Sequence, residues 1–319
     1  MPSNLLHATP GLEVACAVPS ELGECPVWDT ASGRLLWVDI ANRRIHRLDP
    51  RTGPLESWDV PEEPGCIGLT AAGHPGEDAL VVALRSGFHH LDLAARALKR
   101  LSPPLFDTAS YRFNDGKVDA AGRFWAGAMF EPRTAASASL FTLDHGKASA
   151  VAGPAVGFAP ADAWGVKVSN GLAFSPDART LYQSDTSNHV IYCFDFELAG
   201  GAIENRRAWW RTDDRRTAPG YGGRPDGAAI DVEGCYWSAQ YEGGRILRLS
   251  PAAEILAEIR VPARCPTMVC FGGADLRTLF ITSAREGRSA AELAQWPLSG
   301  CVFAIDVDTA GLAANRYQA

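Results

Sequence analysis

The chain has 319 residues, 46% apolar and 21% charged, with a formal net charge of −7. That length can bury a large core in one or two domains, and the acidic balance argues against nucleic acid as the main partner, because phosphate binding needs a basic footprint. No run approaches the ~18 apolar residues of a membrane span, and residues 1–20 lack a basic start followed by an apolar core, so neither a membrane partner nor a secretory leader is expected.

Thirty-one glycines and twenty-one prolines, with few long helical patterns, predict many short strands joined by turns. Residues 11–18 read as a short strand. Gly23-Glu24-Cys25-Pro26-Val27-Trp28-Asp29 then leads through Ser32-Gly33 into strands at 34–39 and 45–49. The same order returns around Gly65, with strands at 80–84 and 87–92, and at Asn114-Asp115-Gly116, with strands at 123–127 and 140–144. It returns at Ser169-Asn170-Gly171-Leu172, at Asp226-Gly227 and near Met268, the last followed by strands at 278–282 and 301–306.

Six self-similar units of roughly 40–55 residues match the blade period of a β-propeller. A four-stranded blade cannot bury both faces alone, so neighbours pack around a central channel. The expectation is therefore an all-β, six-bladed propeller forming a single domain over 1–319, with its core at about 12–308. The strand at 11–18 has no repeat of its own and is predicted to join the blade ending at 301–308, closing the ring.

Counting back five residues from the Asp or Ser that ends the first strand of each good repeat gives Glu24, Asn114, Asn170 and Asp226. The second repeat gives Gly65, counted from Thr70, and the sixth falls at about Met268, to within one residue. Equivalent positions on the innermost strands converge on one channel mouth, so four oxygen-bearing side chains should face one another. Two carboxylates across a narrow channel repel unless a proton or cation lies between them. Glu, Asp and Asn oxygens suit Ca²⁺, Mg²⁺ or Mn²⁺ and tolerate Zn²⁺ or Fe²⁺. The plainer reading is that Asn-Gly and Asp-Gly are ordinary turn dipeptides. The register they share with Glu24, which precedes no glycine, favours a common site.

Eight cysteines form no Cys-x-x-Cys pair and no Cys/His zinc spacing, so they read as buried reduced thiols in a reducing, cytoplasmic setting. His89 and His90 point to opposite faces of a strand and make poor joint ligands. Ser169 sits in no Gly-x-Ser-x-Gly elbow. Trp209 and Trp210 are expected to pack near a rim, and Tyr241 to line the mouth.

The motifs Leu22-Gly23-Glu24-Cys25-Pro26-Val27-Trp28, Arg112-Phe113-Asn114-Asp115-Gly116-Lys117-Val118-Asp119, Ser169-Asn170-Gly171-Leu172, Pro225-Asp226-Gly227 and Cys270-Phe271-Gly272-Gly273 together resemble the SMP-30/gluconolactonase/regucalcin family of six-bladed propellers, over about residues 12–308. The resemblance implies one divalent metal held by Glu24, Asn170 and Asp226, with Asn114 at the edge of the site. It implies that Arg112 and Asn114 hold substrate, with Glu131 as the nearest match to a further acidic substrate ligand. Members typically hydrolyse sugar lactones, and some are studied chiefly as calcium-binding proteins.

On that footing the expected activity is metal-dependent opening of a sugar lactone to its aldonic acid by a monomer or small homo-oligomer. Arg112, with a planar fork suited to paired oxygens, would fix the sugar. Asp226 is the candidate general base, or else it serves only as a ligand and the cation activates the water. Two other classes remain open: a non-catalytic calcium-binding propeller, and another ester or organophosphate hydrolase on the same fold. Substrate choice is expected to lie in the mouth loops at 131–139 and 153–167.

Overall fold

The computed structural model describes residues 8–71, 78–153 and 164–319. The mouth-loop positions 154–163 therefore lie outside the described residues, as do 1–7 and 72–77. Six antiparallel sheets follow one another along the chain, each counted as a blade from its inner strand outward. The six inner strands are Gly23–Asp29, Pro64–Thr70, Tyr111–Val118, Ser169–Phe174, Arg224–Ile230 and Cys265–Gly272. Inner strands are almost wholly buried, whereas outer ones such as Ala97–Arg100 and Ile255–Arg260 are mostly exposed. That gradient reflects alternation and composition: the inner strands carry apolar and small residues between neighbouring blades, and the outer ones carry Lys, Arg and Glu.

Two aspartate devices recur among the blades. Asp119 accepts from the Trp125 indole Nε1 at 2.8 Å, and Asp231 from the Trp237 Nε1 at 2.9 Å, both across the hairpin that follows an inner strand. Asp39 and Asp185, at the ends of second strands, accept from the backbone just before the inner strands of blades 1 and 4. Between blades, aromatic side chains fill the wedge: Phe113 lies 5.0 Å from Phe88 and 5.7 Å from Phe141, ring centre to ring centre.

The ring closes as expected. Glu13–Cys16 pairs antiparallel with Val302–Asp306, Glu13 opposite Ala304, and supplies the outer strand of blade 6. Residues beyond 308, outside the six repeats, cross the far end of the channel. Leu312 N donates to Ile230 O, and Arg316–Tyr317 pairs in parallel with Leu69 and Thr70 of blade 2.

All six inner strands carry a β-bulge near the counted position, between Glu24 and Val27, Pro64 and Cys66, Phe113 and Gly116, Asn170 and Ala173, Pro225 and Ala228, and Pro266 and Met268. A bulge re-aims side chains and interrupts pairing, so it can turn a blade-to-blade position toward the channel. In blade 2 that position is Gly65, where a Cβ would stand 2.4 Å from the Phe113 carbonyl carbon. Only glycine fits there.

Candidate active site

Glu24, Asn114, Asn170 and Asp226 come together at one channel mouth, buried and lining a single open cavity of about 510 Å³. Blades 1, 3, 4 and 5 supply them. Gly65, Thr267 and Met268 do not reach this lining; Thr267 Oγ1 instead bonds the Gly23 carbonyl oxygen of blade 1. The residues two positions earlier, Leu22, Arg112, Val168 and Arg224, line the same cavity. Strand alternation accounts for this, since residues i and i−2 share a face.

A chain of hydrogen bonds links the polar members. Arg112 Nη1 donates to Asn114 Oδ1 at 2.8 Å and to Phe113 O at 2.9 Å. Asn114 Nδ2 donates to Asn170 Oδ1 at 2.7 Å. Asn170 Nδ2 donates to Thr186 Oγ1 at 2.8 Å and closely to Asp226 Oδ1, which also accepts from Thr186 Oγ1 at 3.2 Å. Glu24 Oε2 accepts from Cys25 N at 3.2 Å. Beneath them Asp115 stitches blade 3 to blade 4, accepting from Gly116 N and Leu172 N at 2.7 and 2.8 Å.

The acids are held far from their ordinary state. Burial, reinforced by the charges of Asp226 and Asp115, raises Glu24 well above the carboxylate range. Burial pushes Asp226 up to about 7, against the pull of Arg224 and the Thr186 hydroxyl, and it lifts Asp115 to about 6. Arg112 Nη1 is committed to Asn114 and Phe113, so Arg112 eases Glu24 only through its charge, against the larger effect of burial.

Two buried carboxylates and a carboxamide without a bonded cation fit a hard divalent ion. Among the described residues no three His, Cys, Asp or Glu side chains gather, so the set depends on Asn170 for its third oxygen. As a ligand, Asn170 would present Oδ1 toward the acids rather than Nδ2, a half-turn of its amide.

Glu131 sits at the rim and does not line the cavity. Arg85 holds it through two bonds of 2.9 and 3.0 Å, and its Oε1 lies 4.0 Å from Arg112 Nε. Tyr241 lines the mouth as expected, whereas Trp209 packs against Tyr182 and Tyr236. The eight cysteines are buried and free. Thr186, Ser187, Arg133, Arg224 and Glu286 line the cavity without having been anticipated from sequence. Thr186 and Ser187 stand on a short 3-10 turn, and Arg133 and Glu286 on loops, where no strand periodicity points to them. Arg224 precedes Asp226 by two residues, as Arg112 precedes Asn114.

Comparison with known proteins agrees with the fold. Residues 22–285 match the family described as SMP-30/Gluconolactonase/LRE-like region. A 6-deoxy-6-sulfogluconolactonase of Pseudomonas putida is 50% identical over 296 residues, 92% of this chain and 94% of that one. Regucalcin of Danio rerio is 33% identical over 302 residues, again 92% and 94%. A solved structure of a calcium-binding regucalcin from Agrobacterium tumefaciens superposes with a TM-score of 0.85 at 24% identity, covering 96% of this chain and 97% of that one, and so attests the fold. The chain belongs to the SMP-30/gluconolactonase family of six-bladed β-propellers.

Proposed function

We propose that the protein is a carboxylic-ester hydrolase that opens a sugar lactone to its aldonic acid at the Glu24–Asn170–Asp226 cluster. The observation that carries this reading is the convergence, from separate blades, of two buried acids and two carboxamides in one open cavity. The Pseudomonas putida relative, named as a lactonase and matched along nearly its whole length, supports the reaction class.

Glu24, Asn170 and Asp226 would hold one divalent cation; their oxygens suit Ca²⁺, Mg²⁺ or Mn²⁺ and admit Zn²⁺ or Fe²⁺. When bound, such a cation supplies Lewis acidity toward the lactone carbonyl. The rest falls to the chain. Water oxygen bonds to the carbonyl carbon, the ring C–O bond breaks, and the ring oxygen leaves as a hydroxyl, taking up the proton that Asp226 has removed from the water. Asp226 takes the water proton at its carboxylate, which Thr186 Oγ1 holds in place. Arg112 and Asn114 orient the sugar. Because Arg112 Nη1 is committed, its remaining N–H groups face that task. Glu131, 4.0 Å from Arg112 and braced by Arg85, positions the guanidinium rather than the substrate. The free, buried thiols support a reducing, cytoplasmic setting.

Proton release on a panel of sugar lactones, with metal-stripped and metal-reloaded protein, tests the reading. Acceleration that returns with the cation is expected. No acceleration on any lactone with any cation would leave a non-catalytic metal-binding propeller as the better account.

A further inference from the structure

Three arginines line the site cavity, and they are not equivalent. Arg112 is bonded within blade 3. Arg224 occupies the corresponding place in blade 5, yet its Nε is buried without a hydrogen-bond partner. The only acid within 4.0 Å of it among the described residues is Glu242, at 3.5 Å. That carboxylate is already claimed by Arg216 at 2.7 Å and Arg288 at 3.3 Å, so three guanidinium groups share one acid. Arg224 lies over the Tyr241 ring at 5.0 Å, with its side chain only 12% exposed, and this keeps it extended along the cavity wall.

Arg133 comes from another blade, on the turn after the second strand of blade 3. Its backbone is left-handed, with φ of 56°, and the turn is pinned by Arg133 N donating to Phe130 O at 2.9 Å. It is exposed and makes no ion pair among the described residues. The charges of both arginines are felt at Asp226, so both belong to one electrostatic compartment. The remaining acid of the lining, Glu286, is exposed and acts on Arg112. Ser187 adds a hydroxyl to the wall. A buried guanidinium N–H without an acceptor is costly, and the planar fork of arginine is matched by paired oxygens of an oxyanion.

We infer that Arg133 and Arg224 form an anion clamp, and that the substrate is a sugar lactone bearing a tetrahedral oxyanion, sulfonate or phosphate, on the carbon farthest from the ring carbonyl. Asp226, Arg133 and Arg224 line one cavity, so the reacting end and the oxyanion would be held in the same space. This rests on the lactonase reading for the reacting end, but the clamp is a binding site in its own right.

Two arms test it on metal-loaded protein. In the first, kcat/KM is measured on unsubstituted glucono-1,5-lactone and on its C6-sulfonate and C6-phosphate analogues, for wild type, Arg133→Gln and Arg224→Gln. Wild type should favour at least one charged lactone by about 100-fold, and each variant should cut that ratio by about 10- to 30-fold, one charge-assisted contact each. The larger of the two charged responses identifies the oxyanion. In the second arm, calorimetry compares methyl glucoside with its C6-sulfonate and C6-phosphate forms, none of which has an ester to cleave. Tighter binding of a charged form, lost in Arg133→Gln, supports the clamp even if no lactone is hydrolysed, an outcome that would defeat the lactonase reading alone. Equal turnover of neutral and charged lactones by wild type, or equal calorimetric binding, overturns the clamp. Arg133 is exposed, so its variant keeps the test open if Arg224→Gln fails to fold.

Discussion

The two ends of the central channel are built from the same six strands and have opposite characters. At one end the inner strands present Glu24, Asn114, Asn170 and Asp226. At the other, a few residues further along the same strands, the lining is Trp28, Ile67, Leu69, Val118, Phe174, Ile230 and Phe271, and Leu312–Asn315 lies across a space of about 750 Å³. Lys117 lines this apolar end as well, donating to Ala228 O at 3.4 Å. The bulges fall near the polar end, where backbone irregularity turns side chains inward. Beyond the bulges regular alternation resumes, and the channel is sealed by packing. Chemistry therefore sits where the sheet is interrupted, and closure where it is regular.

Substitutions at each end should separate these roles. The largest effect is expected for Asp226→Asn. Loss of the proton acceptor should lower kcat about 10³-fold, while the melting temperature of metal-free protein rises, because a buried acid that crowds Glu24 is removed. Full activity in that variant would restrict Asp226 to a ligand role. Next comes Gly65→Ala. Its Cβ would meet the Phe113 carbonyl carbon at 2.4 Å and Asn114 N at 2.8 Å, both backbone atoms. A destabilisation of about 2–3 kcal/mol in denaturant unfolding is expected, together with reduced turnover as Asn114 shifts.

A third prediction concerns pH. Asp226 and Asp115 have ordinary values near 3.8 and are raised by burial to about 7 and about 6. Their neutral forms favour the folded state, so that contribution is complete below about pH 4 and is lost as pH rises through about 6 to 7. Metal-stripped protein should lose melting temperature across that window, and a divalent cation should restore it. A flat profile without metal would count against the crowded-acid arrangement. The smallest effect belongs to the apolar end. Arg316 donates to Thr70 O at 3.0 Å and pairs closely with Asp29. Arg316→Ala should cost about 1 kcal/mol of stability, read as a small drop in melting temperature, with kcat unchanged.

The contrast between the two ends also explains what could be read from the chain. The ring residues were legible because each precedes its strand-ending Asp or Ser by the same count, a regularity imposed by equivalent blades. The closing strand was legible as the one segment without a repeat. Arg133, Glu286 and the Thr186–Ser187 turn were not, because their approach to the cavity depends on loop conformations that no period encodes. Arg224 stands two before Asp226 as Arg112 stands two before Asn114, but Arg112 came from the family resemblance, and the count of five by itself marks neither. Glu131 was expected to hold substrate, and its partnership with Arg85 of the neighbouring blade leaves no trace along a single repeat. Nor does the pairing of Arg316–Tyr317 with blade 2, which joins a segment outside the repeats to a strand far earlier in the chain.

The closure of blade 6 has a consequence for how the protein comes into being. Glu13–Cys16 is translated before all six inner strands, but its partner, Val302–Asp306, emerges only after them. Through that interval the nascent ring carries an unpaired strand edge, and Val14 on it remains 40% exposed even in the finished fold. Contacts so distant along the chain are slow to form and leave aggregation-prone edges open meanwhile. Production in cells should therefore be limited less by the stability of the completed propeller than by protection of this edge during elongation.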